Sequence, residues 1–482
     1  MKRTLLILAG LLTATLGASA QNAFRGGYFM DGCLYAHKMN PALCPNQNYF
    51  GIGVGNIDVQ TQSNLGVSTL FTPDGHGGLD SFLSENISAQ EFLGKLKKYN
   101  TENLNAEVDL FNLGFWNEKD RFKTISISLH VIESGAIPYD VFRFLKTGTD
   151  DGSTYSLAGL GLRARAYGQI AYGISYPVGE TLRIGGKVKA LVGLAYADMR
   201  YDRFDVTLNR EKWNVSTDGR LQSSNLPVSQ SSQPVSVGEL FDFDDFNPRS
   251  LRPSGFGAAL DLGATWDILP WLQLSASLTD LGFLGWKMDK AVTDGSWEYT
   301  GLDEIHFGEN DDFDAQMSAK MEQLDDLTRF RYGSKGSSMD SLPATLYLGA
   351  KAHPSDWFSA GLLATARCEG PYSWAEMRGA VNLEPGSCFG ISASAAYGSF
   401  GPKLSTALNL RIPDFLALFI GAEMASPYFV STEPRASHTI KDYINGDVVA
   451  FPRDNLNLNL VIGLNWAFRR PSARSAKEPD EE

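Results

Sequence analysis

The sequence predicts an all-β fold: a transmembrane, outer-membrane antiparallel β-barrel of about 14 strands, with an N-terminal hatch and short helices in its loops. Three observations carry that prediction. They are a two-residue rhythm of apolar and polar side chains, an N-terminal export signal, and connections that alternate between short and long. Between Thr124 and Val131 the residues Ile125, Ile127, Leu129 and Val131 alternate with Thr124, Ser126, Ser128 and His130. Near the C-terminus Leu458, Leu460, Ile462, Leu464, Trp466 and Phe468 alternate with Asn457, Asn459, Val461, Gly463, Asn465 and Ala467. A strand points successive side chains to opposite faces, so each run has one apolar face and one polar or small face. Repeated along an exported chain, that pattern is satisfied by a closed barrel, apolar toward lipid and wet inside.

The chain opens Met1-Lys2-Arg3, runs mostly apolar from Leu5 to Leu16, and reaches Ala18-Ser19-Ala20 before Gln21. A basic start, a short apolar stretch and an Ala-x-Ala end read as a signal peptide over residues 1–20. Gln21, not a cysteine, follows the cut, so no lipid anchor is expected there. Beyond it no run of ~18 apolar residues remains to span a membrane as a helix. A closed barrel is the other backbone that satisfies its own hydrogen bonds in lipid. The 48 Gly, 18 Tyr, 28 Phe and 9 Trp suit strand bends and interfacial aromatic belts. The formal net charge is −13, and removal of Lys2 and Arg3 takes it two lower, to −15, which argues against nucleic acid as a partner.

Turn formers place the short connections at Asn117-Glu118-Lys119-Asp120, Pro177-Val178-Gly179-Glu180, Ile268-Leu269-Pro270, Pro354-Ser355-Asp356, Glu384-Pro385-Gly386 and Pro413-Asp414. Longer polar connections lie around 61–103, 134–159, 201–253, 285–341 and 426–455, with two short ones near Gly370 and Gly401. The strand runs between them are 47–60, 104–117, 121–133, 160–177, 181–200, 254–268, 271–284, 342–353, 357–367, 374–384, 387–398, 402–411, 416–425 and 456–468. Short turns on one side and long loops on the other place both termini in the periplasm. The divisions are a signal peptide at 1–20, a hatch at 21–46, a barrel at 47–468 and a polar, disordered tail at 469–482. Two long loops carry helical signals. Ser88 with Glu91 makes a capping box before Phe92, Leu93 and Leu96, and residues 138–146 hold Val141, Phe142, Phe144 and Leu145. The loops near Phe241-Asp242-Phe243-Asp244-Asp245 and near Asp303, Glu304, Glu309, Asp311, Asp312 and Asp314 are carboxylate-rich without EF-hand spacing, and read as solvated acid rather than a calcium site.

Charged side chains on a lipid face cost about 2–4 kcal/mol each near the midplane, which turns the strand cations inward. Arg163 and Arg165 share a face with Tyr167 and Gln169, and Lys187 and Lys189 share one with Arg183. This basic wall either binds an anionic head group or pairs with Glu107, Asp109, Asp261 or Asp31 to fill the lumen. Glu376, Arg378 and Asn382 form a similar inward row. An enzyme is a third class of reading. Among the six histidines only His130 sits mid-strand beside a same-face serine, Ser128, and adjacent pleats set the two too far apart for a direct bond in most rotamers. No Gly-x-Ser-x-Gly, phosphate loop, metal cluster or cofactor motif is present, so no catalysis and no cofactor are expected. Cys33 and Cys44 are close enough to close a small disulfide loop, whereas Cys368 and Cys388 fall at opposite barrel ends, beyond the ~7 Å Cα limit of a disulfide.

His37-Lys38-Met39-Asn40-Pro41-Ala42-Leu43 carries an Asn-Pro-Ala triplet directly before the first strand. In this it resembles the N-terminal plugs of the long-chain fatty-acid transporter type of barrel. The stretches Gly55-Asn56-Ile57, Gln62-Ser63-Asn64-Leu65-Gly66, Leu157-Ala158-Gly159-Leu160-Gly161-Leu162, Gly185-Gly186-Lys187-Val188-Lys189, 255–264 and Leu278-Thr279-Asp280-Leu281-Gly282-Phe283 resemble a Bacteroidota outer-membrane family catalogued as domain of unknown function 5723. The resemblance covers residues 23–468 and implies a hatch, with Asn40, Pro41 and Ala42 in it, inside the lumen. The function expected is passive transport or binding of a small hydrophobic or amphiphilic ligand, in contact with outer-membrane lipid. The alternative is an accessory barrel of an outer-membrane secretion or assembly machine with envelope protein partners, and a lipid-modifying hydrolase comes third.

Overall fold

A computed structural model describes residues 24–470, apart from 74–78, 149–152, 210–211, 227–232, 234, 236–251, 300–328, 387, 426–428, 432–449 and 453–454. The export signal at 1–20, both carboxylate-rich loops and the tail beyond Arg470 lie outside the described residues. Fourteen strands close into one antiparallel barrel. They are β1 (Gln47–Gly66), β2 (Tyr99–Trp116), β3 (Phe122–Pro138), β4 (Gly161–Val178), β5 (Leu182–Leu208), β6 (Gly255–Leu269) and β7 (Leu272–Tyr299). They continue with β8 (Ala344–Ser355), β9 (Phe358–Cys368), β10 (Trp374–Leu383), β11 (Phe389–Gly398), β12 (Gly401–Ile412), β13 (Leu416–Met424) and β14 (Asn455–Arg469). Each strand pairs with the next, and β14 returns to β1 through a register running from Gln47–Arg469 to Gly66–Asn455. Closure leaves no edge in the membrane, which is what lets a sheet survive there. Among the described residues no helix is long and apolar enough to cross a membrane.

The alternation sorts the faces as the pattern requires. On β14, Leu458, Leu460, Ile462, Leu464, Trp466 and Phe468 point outward and are exposed, while Asn459, Val461 and Asn465 are at most 2% exposed. On β3, Ile127 and Leu129 face out and Ser128 and His130 face in. Turns are tight at one end of the barrel, where Asp120, Gly179, Gly386 and Asp414 take positive φ. That backbone suits glycine and short acidic side chains.

The strand ends differ from expectation at the other end. β5 and β7 run far beyond their alternating stretches, and their extensions sandwich a strand, Trp213–Ser224, that falls inside an expected loop. A further strand, Arg331–Ser341, pairs with β7 along Phe283–Val292, and Ser153–Ser156 pairs with the tip of β5. Together they raise a crown on the long-loop rim. Its apolar cluster is Tyr201, Leu221, Ala291 and Phe330. The two loop helices are present as Ala89–Leu93 and Tyr139–Thr147, the first capped by Glu91 N–H donating to Ser88 Oγ at 3.1 Å. Their apolar faces meet each other: Phe92 and Phe142 sit 5.9 Å apart, edge to face, and Phe82 stacks on Phe92.

Residues Phe24 to Asn46 form the hatch, a chain of turns and short 3-10 segments folded inside the lumen. One apolar cluster joins Phe24, Met30, Leu34 and Tyr35 to Tyr49 of β1, Trp116 of β2, Phe419 of β13 and Val461 of β14. The expected Cys33–Cys44 bond is not formed, which corrects the sequence reading. Cys33 points into that apolar cluster, where burial pushes its thiol up to about 12. Cys44 Sγ lies 3.5 Å from Ala42 O, to which it donates. Closeness in sequence did not bring the two side chains face to face. Cys368 and Cys388 sit at opposite ends of the barrel and are exposed.

Candidate functional site: the plugged lumen

Glycines on the wall set how closely the hatch docks. A Cβ at Gly185 of β5 would run into the backbone of Pro41 and Ala42, and one at Gly263 of β6 into the Asn40 side chain. The Asn-Pro-Ala triplet is therefore seated against bare backbone. Asn40 Nδ2 donates to Ala264 O (3.2 Å) and Tyr28 Oη (3.3 Å), while its Oδ1 accepts from Ala42 N–H at 2.9 Å. Ser277 Oγ donates to Met39 O at 2.6 Å. Buried backbone polar groups need such partners, and the hatch finds them on the wall because it has no ladder of its own.

Charges fasten the same segment. Lys38 Nζ lies 2.7 Å from both Glu107 and Asp109 of β2, and Lys351 of β8 reaches Asp31 at 2.5 Å. Burial works against the Lys38 ammonium, but Asp109 and Glu107 outweigh it and raise its pKa above the ordinary lysine value. His37 lies between Tyr49 Oη, 2.6 Å from its Nε2, and Lys187 Nζ, 3.4 Å from its Nδ1. An ammonium can only donate, so Nδ1 accepts and Nε2–H is left to donate to Tyr49. Burial first, then Lys187 and Lys38, lowers the His37 pKa well below 6.5. An unfolded chain therefore takes up a proton, below about 6.5, that the folded hatch refuses. Stability is expected to fall as pH drops from 6.5 toward 5, and to fall less steeply in His37→Gln. Urea midpoints measured across that range check this, and parallel curves would refute it.

The four wall cations singled out from sequence all point into the lumen, and each has a protein partner. Arg163 pairs with Asp198 at 3.0 Å. Arg165 pairs with Asp340 at 2.9 Å and Glu369 at 2.6 Å. Lys189 lies 2.7 Å from both Asp261 and Asp280, and Lys187 holds His37. Of the partners expected, Asp261 is used. Glu107, Asp109 and Asp31 instead hold the hatch, while Asp198, Asp280, Asp340 and Glu369 went unforeseen. Asp340 and Glu369 belong to segments read as loop, so no strand alternation marked them as inward. Arg367 also pairs with Glu369, at 3.2 Å. Burial disfavours the ionised Glu369, yet Arg165 and Arg367 hold its carboxyl below the ordinary value.

Ser128 and His130 correct a second expectation. Ser128 Oγ is 2.7 Å from His130 Nε2, so neighbours two apart on one strand face do meet. The imidazole leans along the strand, stacked on Tyr167 with centroids 4.9 Å apart. Among the described residues His130 Nδ1 has no hydrogen-bond partner, so no third, orienting member of a triad is assembled there from them.

The wall itself is interrupted beside the hatch. Across the β1–β14 seam the register jumps from Phe50–Trp466 to Asn56–Gly463, and across β1–β2 from Ile52–Phe111 to Asn56–Asp109. Residues 53–55 are thus outside both ladders. Gly53 takes φ of 83°, with open space where a Cβ would be. Leu110 on β2 is bulged at the same height.

Residues 41–423 match the profile described as a family of unknown function, DUF5723. The chain belongs to that family. The matched span begins inside the Asn-Pro-Ala triplet and ends on β13. No curated protein matches. Among solved structures this DUF5723 barrel is similar to a deltaS2S3 mutant of the monoaromatic hydrocarbon channel TodX. Identity is 9%, over 94% of this chain and 96% of that one, with a TM-score of 0.41. The Ralstonia pickettii toluene transporter TbuX is 10% identical, with 91% and 94% covered and a TM-score of 0.41. A Pseudomonas aeruginosa FadL homologue is 12% identical, with 92% and 96% covered and a TM-score of 0.39.

Proposed function

We propose that this barrel passes small hydrophobic or amphiphilic molecules across the outer membrane by diffusion, entering or leaving through its side wall. The observation that supports this reading is the break in β1 at Gly53–Gly55, set beside a hatch that fills the axis of the lumen. A plugged barrel has no straight aqueous route, and a gap in the ladder is where wall and lipid are separated by the least material. The hatch meets the strands flanking that gap through the apolar cluster of Tyr35, Tyr49 and Val461, a surface compatible with an apolar solute. The four wall cations, occupied by ion pairs, serve the lumen's shape in this reading. No chemistry on the solute is invoked.

Removing residues 53–55 equalises the two sides of the β1–β14 seam. Uptake of a radiolabelled alkylbenzene by cells is expected to fall severalfold in that variant, and also on deletion of Asn40-Pro41-Ala42. Heat-modifiable gel mobility reports that the barrel still folds. Unchanged uptake in folded variants, with secretion components enriched in pull-downs, would replace this reading with the accessory-barrel one.

A further inference from the structure

In the upper lumen, toward the crown, Arg25 of the hatch enters a cluster of wall charges. Glu376 of β10 lies 3.1 Å from Arg25, 2.7 Å from Arg378 and 2.6 Å from Lys403. Glu423 of β13 lies 2.5 Å from Arg378, with Lys403 and Arg25 at 3.8 and 3.9 Å. Three cations therefore face two carboxylates, all of them at most 4% exposed. Gln62 adds an amide whose oxygen, turned inward, accepts from Arg25 Nη2 at 3.1 Å and from Lys403. It is neutral and leaves the surplus in place. Asp58, the carboxylate on the inner face of β1, feels the Arg25 charge at longer range but forms no ion pair with Arg25, Arg378 or Lys403 among the described residues. A second ion-pair cluster, which Arg367 joins as the register partner of Trp374 across β9 and β10, contrasts with this. There Arg163, Arg165 and Arg367 are matched by Asp198, Asp340 and Glu369.

Among the described residues, two buried donors at the cluster have no acceptor. Arg25 Nη1 is one, and Nε1 of Trp374, over whose ring the Arg25 guanidinium sits at 4.8 Å, is the other. An uncompensated buried cation and an unmade buried hydrogen bond are both costly, and a single anion relieves both. We infer that Arg25 and Trp374, backed by Lys403, form a binding site for a carboxylate or similar monoanion at the outer end of the lumen. The site stands independently of the side-wall route. Only its natural occupant, the head group of an amphiphile, rests on the transport reading. The alternative source of the same chemistry is a free inorganic anion.

Equilibrium binding to the full chain in non-ionic detergent and chloride-free buffer tests this without requiring transport. Octanoate is expected to bind about tenfold or more tightly than octanol, the size of effect a charge-assisted hydrogen bond carries. That ratio should approach one in Arg25→Gln. Trp374→Phe keeps an aromatic ring beneath the guanidinium while losing the pyrrole ring and its N–H, so it should fold and lose part of the ratio even if Arg25→Gln does not fold. Octanoate binding more tightly than acetate and chloride assigns the site to an amphiphile's head group, and equal affinities assign it to a free anion. Equal binding of octanoate and octanol by the wild type, or an undiminished ratio in Trp374→Phe and in folded Arg25→Gln, overturns the site.

Discussion

Lys38→Met is expected to lower the stability of the folded barrel by about 3–5 kcal/mol, the cost of leaving buried charge without its partner. The ammonium is the shared counter-ion of Glu107 and Asp109, whose side chains are 8% and 1% exposed. Methionine fills similar space and offers them nothing. Urea titration of the folded form, followed by its gel mobility, measures the loss. Adding Glu107→Gln and Asp109→Asn to the Lys38→Met background should recover much of it, because the stranded charges disappear with them. The surface pair of Lys95 and Glu91, 45% and 59% exposed, supplies the comparison, and Lys95→Met is expected to shift stability by about 1 kcal/mol or less. Equal effects at Lys38 and Lys95 would mean that the hatch is not held by charge.

Gly185→Val should unseat the hatch. The atoms its Cβ would meet are the Pro41 carbonyl group and the Ala42 nitrogen, backbone that has no rotamer to change. Ordinary overpacking costs about 1–3 kcal/mol because side chains give way. Here the giving element is the plug itself. In planar bilayers the wild type is expected to show almost no conductance, and Gly185→Val frequent openings. Gly168→Val is the control, since its Cβ meets only Leu129 Cδ2, at 3.8 Å. A silent Gly185→Val that is folded would show the hatch to be adjustable at the triplet.

The transmembrane strands were legible because each buries one face against lipid and the other against a polar lumen, which prints a period of two. The same logic explains what was not legible. Trp213–Ser224 and Arg331–Ser341 stand above the membrane, where sequences such as Asn214-Val215-Ser216-Thr217 and Ser334-Lys335-Gly336-Ser337 meet water on one or both faces and lose the alternation. The inward direction of Arg165 and Lys189 could be read from the same period. Their partners could not, since Asp340, near the end of the crown strand Arg331–Ser341, and Glu369, just past β9, reach Arg165 from far along the chain. The Ser128–His130 contact was missed because spacing along a strand fixes Cα positions and not the lean of an imidazole. The register excess at Gly53–Gly55 is written in glycine, but a glycine-rich strand end reads equally well as an ordinary bend.

The hatch is tied to both sides of the seam that closes the barrel. His37 bonds Tyr49 on β1, and Tyr35 Oη accepts from Asn465 on β14. The first and last strands of the barrel are therefore joined through a third party, the hatch, as well as to each other. Closure by β14 joins residues at the two ends of the chain, and contacts of such long sequence separation form slowly. The seam and the stopper therefore share one joint: a barrel closed without its N-terminal segment would leave both Tyr49 and Asn465 short of a partner they have here.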